Sequence, residues 1–317
     1  MKLQRRDCLR LAGALALTGA WPLRADEAAP FDTLDMDWAD TRRQRAVPVR
    51  LYLPQRAERV PLVVFSHGIG GTRRGYSWLG QHLARNGLAS LHLHHVGSDR
   101  QVWTGSPLNI FGRLQDAAQE REAIARAHDL RFALDTLLAS DLAPRFDDAR
   151  IAAAGHSYGA NTTLLASGAR VEREGRAVDL RDERVSAAIV LSAPPFYGEA
   201  DPRRILKSVT VPSLHVTCTE DIIRIPGYYS GAEDRVAVFD ATGSKRKWLA
   251  VFEGGSHSMF TDRAGTGGVT LNPQVKEATR TLAVAFLQGV FDGEEGSLRQ
   301  WPQRHAPILA RFSAPGS

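Results

Sequence analysis

"RIAAAGHSYGANTTLL", Arg150–Leu165, is the stretch whose reading decides the fold. Arg150–Ala154 is an apolar run that reads as a buried strand, and Tyr158–Ser167 reads as a helix. Between them stands Gly155-His156-Ser157-Tyr158-Gly159, a G-x-S-x-G pattern. A serine at so sharp a strand-to-helix corner takes a strained backbone, and small neighbours relieve the crowding. The helix that starts at Tyr158 aims its positive N-terminal end at the corner, which favours developing negative charge. The pattern therefore marks Ser157 as a nucleophile, against the plainer reading of an ordinary turn.

A serine alone is a poor nucleophile and needs a base. In folds that use this corner, an acid and then a histidine follow the serine in the chain. "VPSLHVTCTEDIIRI" places Asp221 just past a strand, and "WLAVFEGGSHSMF" places His257 in the loop after another. Glu220 is a rival for the acid; Asp240 is weaker because no strand clearly leads to it. The oxyanion of an acyl-transfer step needs two backbone donors. Tyr158, following the nucleophile, supplies one N–H; Ile69 in "SHGIGG" supplies the other, with Gly68, Gly70 and Gly71 letting the backbone approach a substrate. No Gly-Lys-Ser/Thr follows that loop, so a phosphate-binding role is not expected.

Working outward, strands alternate with helices. Strands are expected near Val47–Leu53, from Pro61 into the glycine loop, and at Leu88–His95, Val185–Ser192, Ser213–Thr217 and Lys247–Phe252. Helices are expected at Tyr76–Asn86, as one long element over Arg113–Ala139, and at Pro273–Val290. Several strands are apolar on both faces, so the fold class is α/β: a mostly parallel sheet with helices on both sides. The first two strands form an antiparallel addition at one edge. There is no insertion of cap-domain size, and residues 26–317 read as one domain. The last twenty or so residues, with Pro302, Pro307 and Pro315, read as a tail of uncertain order.

The net charge of +5 is mostly local. Residues 1–25 hold five basic side chains and one acid; the remainder has 35 basic against 34 acidic groups. A near-neutral domain gives no support for nucleic-acid binding. The basic start, the short apolar run "LRLAGALALTGAW" and the small residues after it have the layout of an export signal, and "RRDCLRL" is similar to the twin-arginine type. Cleavage is expected after Ala20 or Ala25, with a periplasmic or secreted product. No run reaches the ~18 apolar residues of a membrane span. Only Cys218 would remain after cleavage, so no intramolecular disulfide is expected.

His92, His94 and His95 invite a metal reading, but only the first two share a strand face and no carboxylate or cysteine set completes a site. They read as packing or pocket-lining groups, and no metal or cofactor is expected. His156 reads as a packing or hydrogen-bonding residue. Trp103, Phe196, Tyr197 and Phe260 are candidates for the pocket wall.

These segments together, from "VPVRLYLP" through "PLVVFSHGIGG" and "RIAAAGHSYGA" to "VFEGGSH", resemble bacterial α/β-hydrolases described as predicted dienelactone hydrolases. They are also similar to platelet-activating-factor acetylhydrolases and, more distantly, to cutinase-like polyester hydrolases. The resemblance implies serine-dependent hydrolysis of a small-molecule ester, without cofactor. It makes Ser157 the nucleophile, His257 the base, Asp221 its orienter, and Ile69 and Tyr158 the oxyanion donors. True dienelactone hydrolases use a cysteine nucleophile where this chain has serine, so dienelactone is not the expected substrate. Short to medium acyl esters are expected; lipid or polyester substrates, amide hydrolysis, acyl transfer and a non-catalytic binding scaffold are the alternatives.

Overall fold

The computed structural model describes residues 29–56, 58–225, 227–262, 268 and 270–316. The expected export signal, residues 1–25, lies outside them.

The chain runs through β1 (Phe31–Asp40), β2 (Arg45–Pro54), β3 (Val60–Ser66), α1 (Ser77–Arg85), β4 (Ala89–Leu93), α2 (Ile110–Ala117) and α3 (Glu120–Leu138). The elbow follows, between β5 (Phe146–His156) and α4 (Tyr158–Ala166), and then the hairpin β6 (Arg170–Arg173) and β7 (Arg176–Asp179). Next come β8 (Val185–Leu191), α5 (Pro202–Leu206), β9 (Ser213–Glu220), β10 (Ile223–Ile225), β11 (Tyr228–Ser230) and α6 (Ala232–Ala241). The chain closes with β12 (Lys247–Ser256), α7 (Leu271–Phe291), α8 (Gly296–His305) and β13 (Leu309–Ser313).

Nine strands form one sheet in the order β1-β2-β4-β3-β5-β8-β9-β12-β13. The six from β4 to β12 in that order are parallel. The others, β1 and β2 at one edge and β13 at the other, are antiparallel. Alternate residues of each central strand serve opposite faces. Val63, Phe65, Ala152 and Ala154 pack with α1, α7 and α8; Leu62, Val64, Ile151 and Ala153 pack with α3. Apolar side chains on both faces are what a sheet covered by helices on both sides requires. Cys218 is buried on the first face, its thiol against the Met259 sulfur. Among the described residues, no helix is long and apolar enough to cross a membrane.

Two expectations need correction. The segment Arg113–Ala139 is not one helix: α2 and α3 are separated at Gln119, whose backbone is extended at φ −64°, ψ 153°. Apolar spacing passes through the break because both helices bury their apolar stripe, and no glycine or proline marks it. The C-terminal segment, read as a tail of uncertain order, forms α8 and β13. The buried Trp301 of α8 donates its indole N–H to the Ala278 carbonyl of α7 at 3.0 Å, and β13 pairs with β12. An expected helix at Pro273–Val290 is α7, with Pro273 in its first turn, where a missing N–H costs nothing.

His67, His92, His95, His156 and His215 are all buried. Burial, the largest cause in each case, holds His92 down to about 4, His156 and His215 to about 3, and His67 and His95 well below the ordinary imidazole range. In the unfolded chain these rings take up protons near pH 6.5. Between there and about pH 4 the unfolded state binds more protons than the native one, so stability falls as pH drops through that window. Each such ring contributes up to about 1.4 kcal/mol per pH unit. The urea midpoint is expected to fall between pH 7 and pH 5; an unchanged midpoint would mean these rings protonate as readily in the native state.

Candidate active site

The elbow is a close contact between two chain segments. Ser157 sits at φ 56°, ψ −123°, in a region that L-residues rarely adopt. A Cβ on Gly155 would lie 2.2 Å from the Gly159 oxygen, and one on Gly159 would lie 1.9 Å from the Ser66 oxygen at the end of β3. Neither gap admits a carbon atom. The two glycines therefore let β5 turn into α4 while α4 rests on the neighbouring strand.

That turn presents the Ser157 hydroxyl to His257. Ser157 Oγ and His257 Nε2 are 2.7 Å apart, and His257 Nδ1 is 2.7 Å from Asp221 Oδ1. His257 follows β12 directly; Asp221 follows β9, where β8, β9 and β12 run side by side. Asp221 is fully buried. Its second oxygen accepts from Thr217 Oγ1 at 2.7 Å, and the buried Arg235 of α6 lies 3.4 Å from Oδ1. Burial alone would raise the carboxyl pKa; the charges of His257 and Arg235 outweigh it and hold the group well below the ordinary carboxylate range. Asp221 is thus an anion at neutral pH. The rival Glu220 is exposed at the end of β9, and Asp240 is exposed on α6.

A run of oriented hydrogen bonds ties this group to the glycine loop after β3. His156 Nε2 lies 2.9 Å from the His257 carbonyl oxygen, which only accepts, so Nε2 carries the proton. His156 Nδ1 then accepts from Tyr76 Oη at 2.8 Å, and Tyr76 Oη accepts from the Gly68 N–H at 3.3 Å. On the other side of the loop, His67 Nε2 accepts from the His95 N–H at 3.0 Å, so its Nδ1–H donates to the Gly68 oxygen at 2.7 Å. Beneath the loop, Arg126 of α3 is fully buried. It donates to the His67 carbonyl, to Ser98 Oγ and to Thr162 Oγ1, and its guanidinium lies 4.7 Å from the centre of the Tyr158 ring.

The site opens into a cavity of about 790 Å³. Ser157, His257, Ile69 and Tyr158 all line it, as do Trp103, Phe196 and Tyr197. Trp103 donates its indole N–H to the Gly70 carbonyl at 3.0 Å. Phe260 does not line the cavity: it is fully buried in the core beneath α7. Sequence position next to the His257 turn could not separate these two places. The three neighbouring histidines have separate partners: His92 meets Gly75 O and Ser90 Oγ, His94 meets Asp99, and His95 meets Asp129 and Ser66 Oγ.

Four supporting residues were not anticipated: Tyr76, Arg126, Thr217 and Arg235. For the two arginines a signal exists. Arg126 falls on the stripe of Leu130, Ala133 and Leu137, and Arg235 on that of Val238 and Phe239; a cation at helical spacing on an apolar face is one that the fold must hold by hydrogen bonds.

Comparison with known proteins bears on the fold. Residues 44–105 match the sequence model of the family described as platelet-activating factor acetylhydrolase, isoform II. That segment runs from β2 through the glycine loop and β4. A comparison with curated protein sequences returned no match. Among solved structures, the chain is similar to a ferulic acid esterase from Streptomyces cinnamoneus, with a TM-score of 0.64 and 22% identity over 92% of this chain and 98% of that one. At that identity the likeness is one of fold, and the fold is that of the α/β-hydrolases.

Replacing each of two glycines by alanine tests the close contact. Gly159→Ala is expected to cost about 4 kcal/mol or more, because backbone must move. Gly112→Ala, where an added Cβ meets nothing within 4 Å, is expected to gain about 0.5–1 kcal/mol in helix α2. Denaturation midpoints of the two variants should move in opposite directions.

Proposed function

We propose that this protein is a serine carboxylic-ester hydrolase that works through an acyl-enzyme, on short to medium acyl esters, after export from the cytoplasm. The observation that carries the reading is the unbroken line Asp221–His257–Ser157, at 2.7 Å and 2.7 Å, ending in a cavity large enough for a small-molecule ester. The family match over the glycine loop and the likeness to an esterase support the same chemistry. The sequence of residues 1–25 supports export.

In this reading Ser157 attacks the ester carbonyl while His257 Nε2 takes its proton. Negative charge grows on the carbonyl oxygen as the tetrahedral intermediate forms. The backbone N–H groups of Ile69 and Tyr158, two residues that line the cavity, are the donors for it in this reading, and the N-terminus of α4 adds to the field. His257 then gives its proton to the departing alcohol. Water, deprotonated by the same ring, attacks the acyl-enzyme and releases the acid. The anionic Asp221 keeps the proton of the resting imidazole on Nδ1, so that Nε2 faces Ser157 ready to accept. No step calls for a metal or an organic cofactor.

The test is hydrolysis of p-nitrophenyl acetate and butyrate by the mature protein and by two variants. Ser157→Ala is expected to lower kcat by about 10⁴-fold or more, and Asp221→Asn by roughly 10³–10⁴-fold, because the amide favours the wrong imidazole tautomer. Wild-type protein that fails to turn over these esters, or a Ser157→Ala variant as active as wild type, would overturn the reading.

A further inference from the structure

The cavity does not end at the nucleophile. Ser157, Tyr158, Asn161 and Leu165 all line it, and these positions share one face of α4. From Tyr158 to Leu165 the helix rises about 10 Å, so the cavity follows α4 along nearly its whole length. Ala123 of α3, the helix packed beside α4, lines the cavity as well. The hairpin β6–β7 and the residue after it form the roof, with Val171, Val178 and Leu180 lining the cavity. These side chains belong to, or pack against, one apolar cluster centred on α4.

Two charged groups line this side, Arg173 and Glu120, and they are paired with each other. Arg173 Nε lies 2.5 Å from Glu120 Oε2, and Arg173 Nη1 lies 2.5 Å from Glu199 Oε1. This clasp fastens the hairpin to the start of α3 and to the loop after β8. It leaves no unpaired charge facing the arm, and it holds the roof in place over apolar walls.

We propose that this arm is an acyl subsite for a linear, uncharged hydrocarbon chain of about eight carbons. The inference rests on the esterase reading and deepens it by naming the acyl class. The length follows from the geometry: an extended chain advances about 1.2 Å per bond, so the 10 Å between the two ends of α4 takes roughly eight bonds. The chemistry follows from the walls. Leu165, Val171, Val178 and Leu180 reward each buried methylene, while the polar lining beside them is confined to the Asn161 amide and the paired Arg173 and Glu120. A methylene moved from water into such surroundings is worth about fourfold in affinity. Part of this appears in kcat/KM as chain length grows, until the arm is full.

The experiment measures kcat/KM for p-nitrophenyl esters from acetate to palmitate, with wild type, Ser157→Ala, Val178→Trp and Ala123→Phe. The last two fill the arm from two different elements, one from the hairpin and one from α3, so a folding failure of either leaves the other to decide. For wild type the values are expected to rise from acetate to a maximum near octanoate and fall by palmitate. In the arm-filling variants the octanoate-to-acetate ratio is expected to drop at least tenfold. A wild-type optimum at acetate overturns the proposal, as does a ratio unchanged in a folded arm-filling variant. In both cases the esterase reading stands if acetate hydrolysis still depends on Ser157. Absence of any Ser157-dependent hydrolysis is a different result, and it removes the esterase reading itself.

Discussion

Arg126 joins four segments of the chain through a guanidinium that water does not reach. It takes the carbonyl that precedes the glycine loop, a hydroxyl from the loop after β4, a hydroxyl from α4, and the face of the Tyr158 ring, while itself standing on α3. Burial pulls its pKa down to about 10, which still leaves it charged at neutral pH. Its positive charge therefore holds the start of the glycine loop and the ring of Tyr158, the two segments that carry the backbone donors proposed for the oxyanion. These donors belong to segments far apart in sequence, and a donor displaced by 1 Å is a poor one. A cation with several planar donors is suited to holding two such segments at a fixed spacing.

The elbow imposes a complementary constraint. The contact of Gly159 with the end of β3 sets α4 against the sheet so closely that only hydrogen fits at both glycines. The strain at Ser157 persists because its surroundings hold it: its N–H donates to the Leu191 carbonyl at 2.9 Å and its carbonyl caps the first turn of α4. From there the chain of bonds through His156 and Tyr76 reaches the glycine loop. His257, Ser157 and the glycine loop, the base, nucleophile and oxyanion loop of the proposed mechanism, are thus tied by oriented groups in which each imidazole tautomer is fixed by a neighbour that can play only one role.

What was legible in the sequence follows from how local its causes are. The elbow was legible because the glycines answer a local steric demand, and the strands because burial on two faces leaves continuous apolar runs. The order serine, acid, histidine was legible because each residue follows a strand. The break between α2 and α3 was not, because apolar spacing continues across Ala118 and Gln119 and neither residue is a strong helix breaker. β13 was hidden because five residues with a charge in their midst make a strand only when an edge awaits them. The hairpin β6–β7 was likewise passed over, although Glu174-Gly175 at its tip is a turn signal between short alternating runs. Phe260 shows the limit of composition: an aromatic beside the site faces the core or the cavity according to the direction of one turn.

The two edges of the sheet also bear on how copies of the molecule meet. β13 offers only five residues, too short to template a long pairing. β1 is ten residues long, and its outward alternation exposes Asp35 and Asp37, which are paired with Arg50, Arg73 and Arg74. Two such edges brought together would strip water from these charged pairs or pull them apart, which is the cost that a charged edge strand sets against pairing. The molecule thus carries, in the strand farthest from its chemistry, a safeguard against growing into β-aggregates at high concentration.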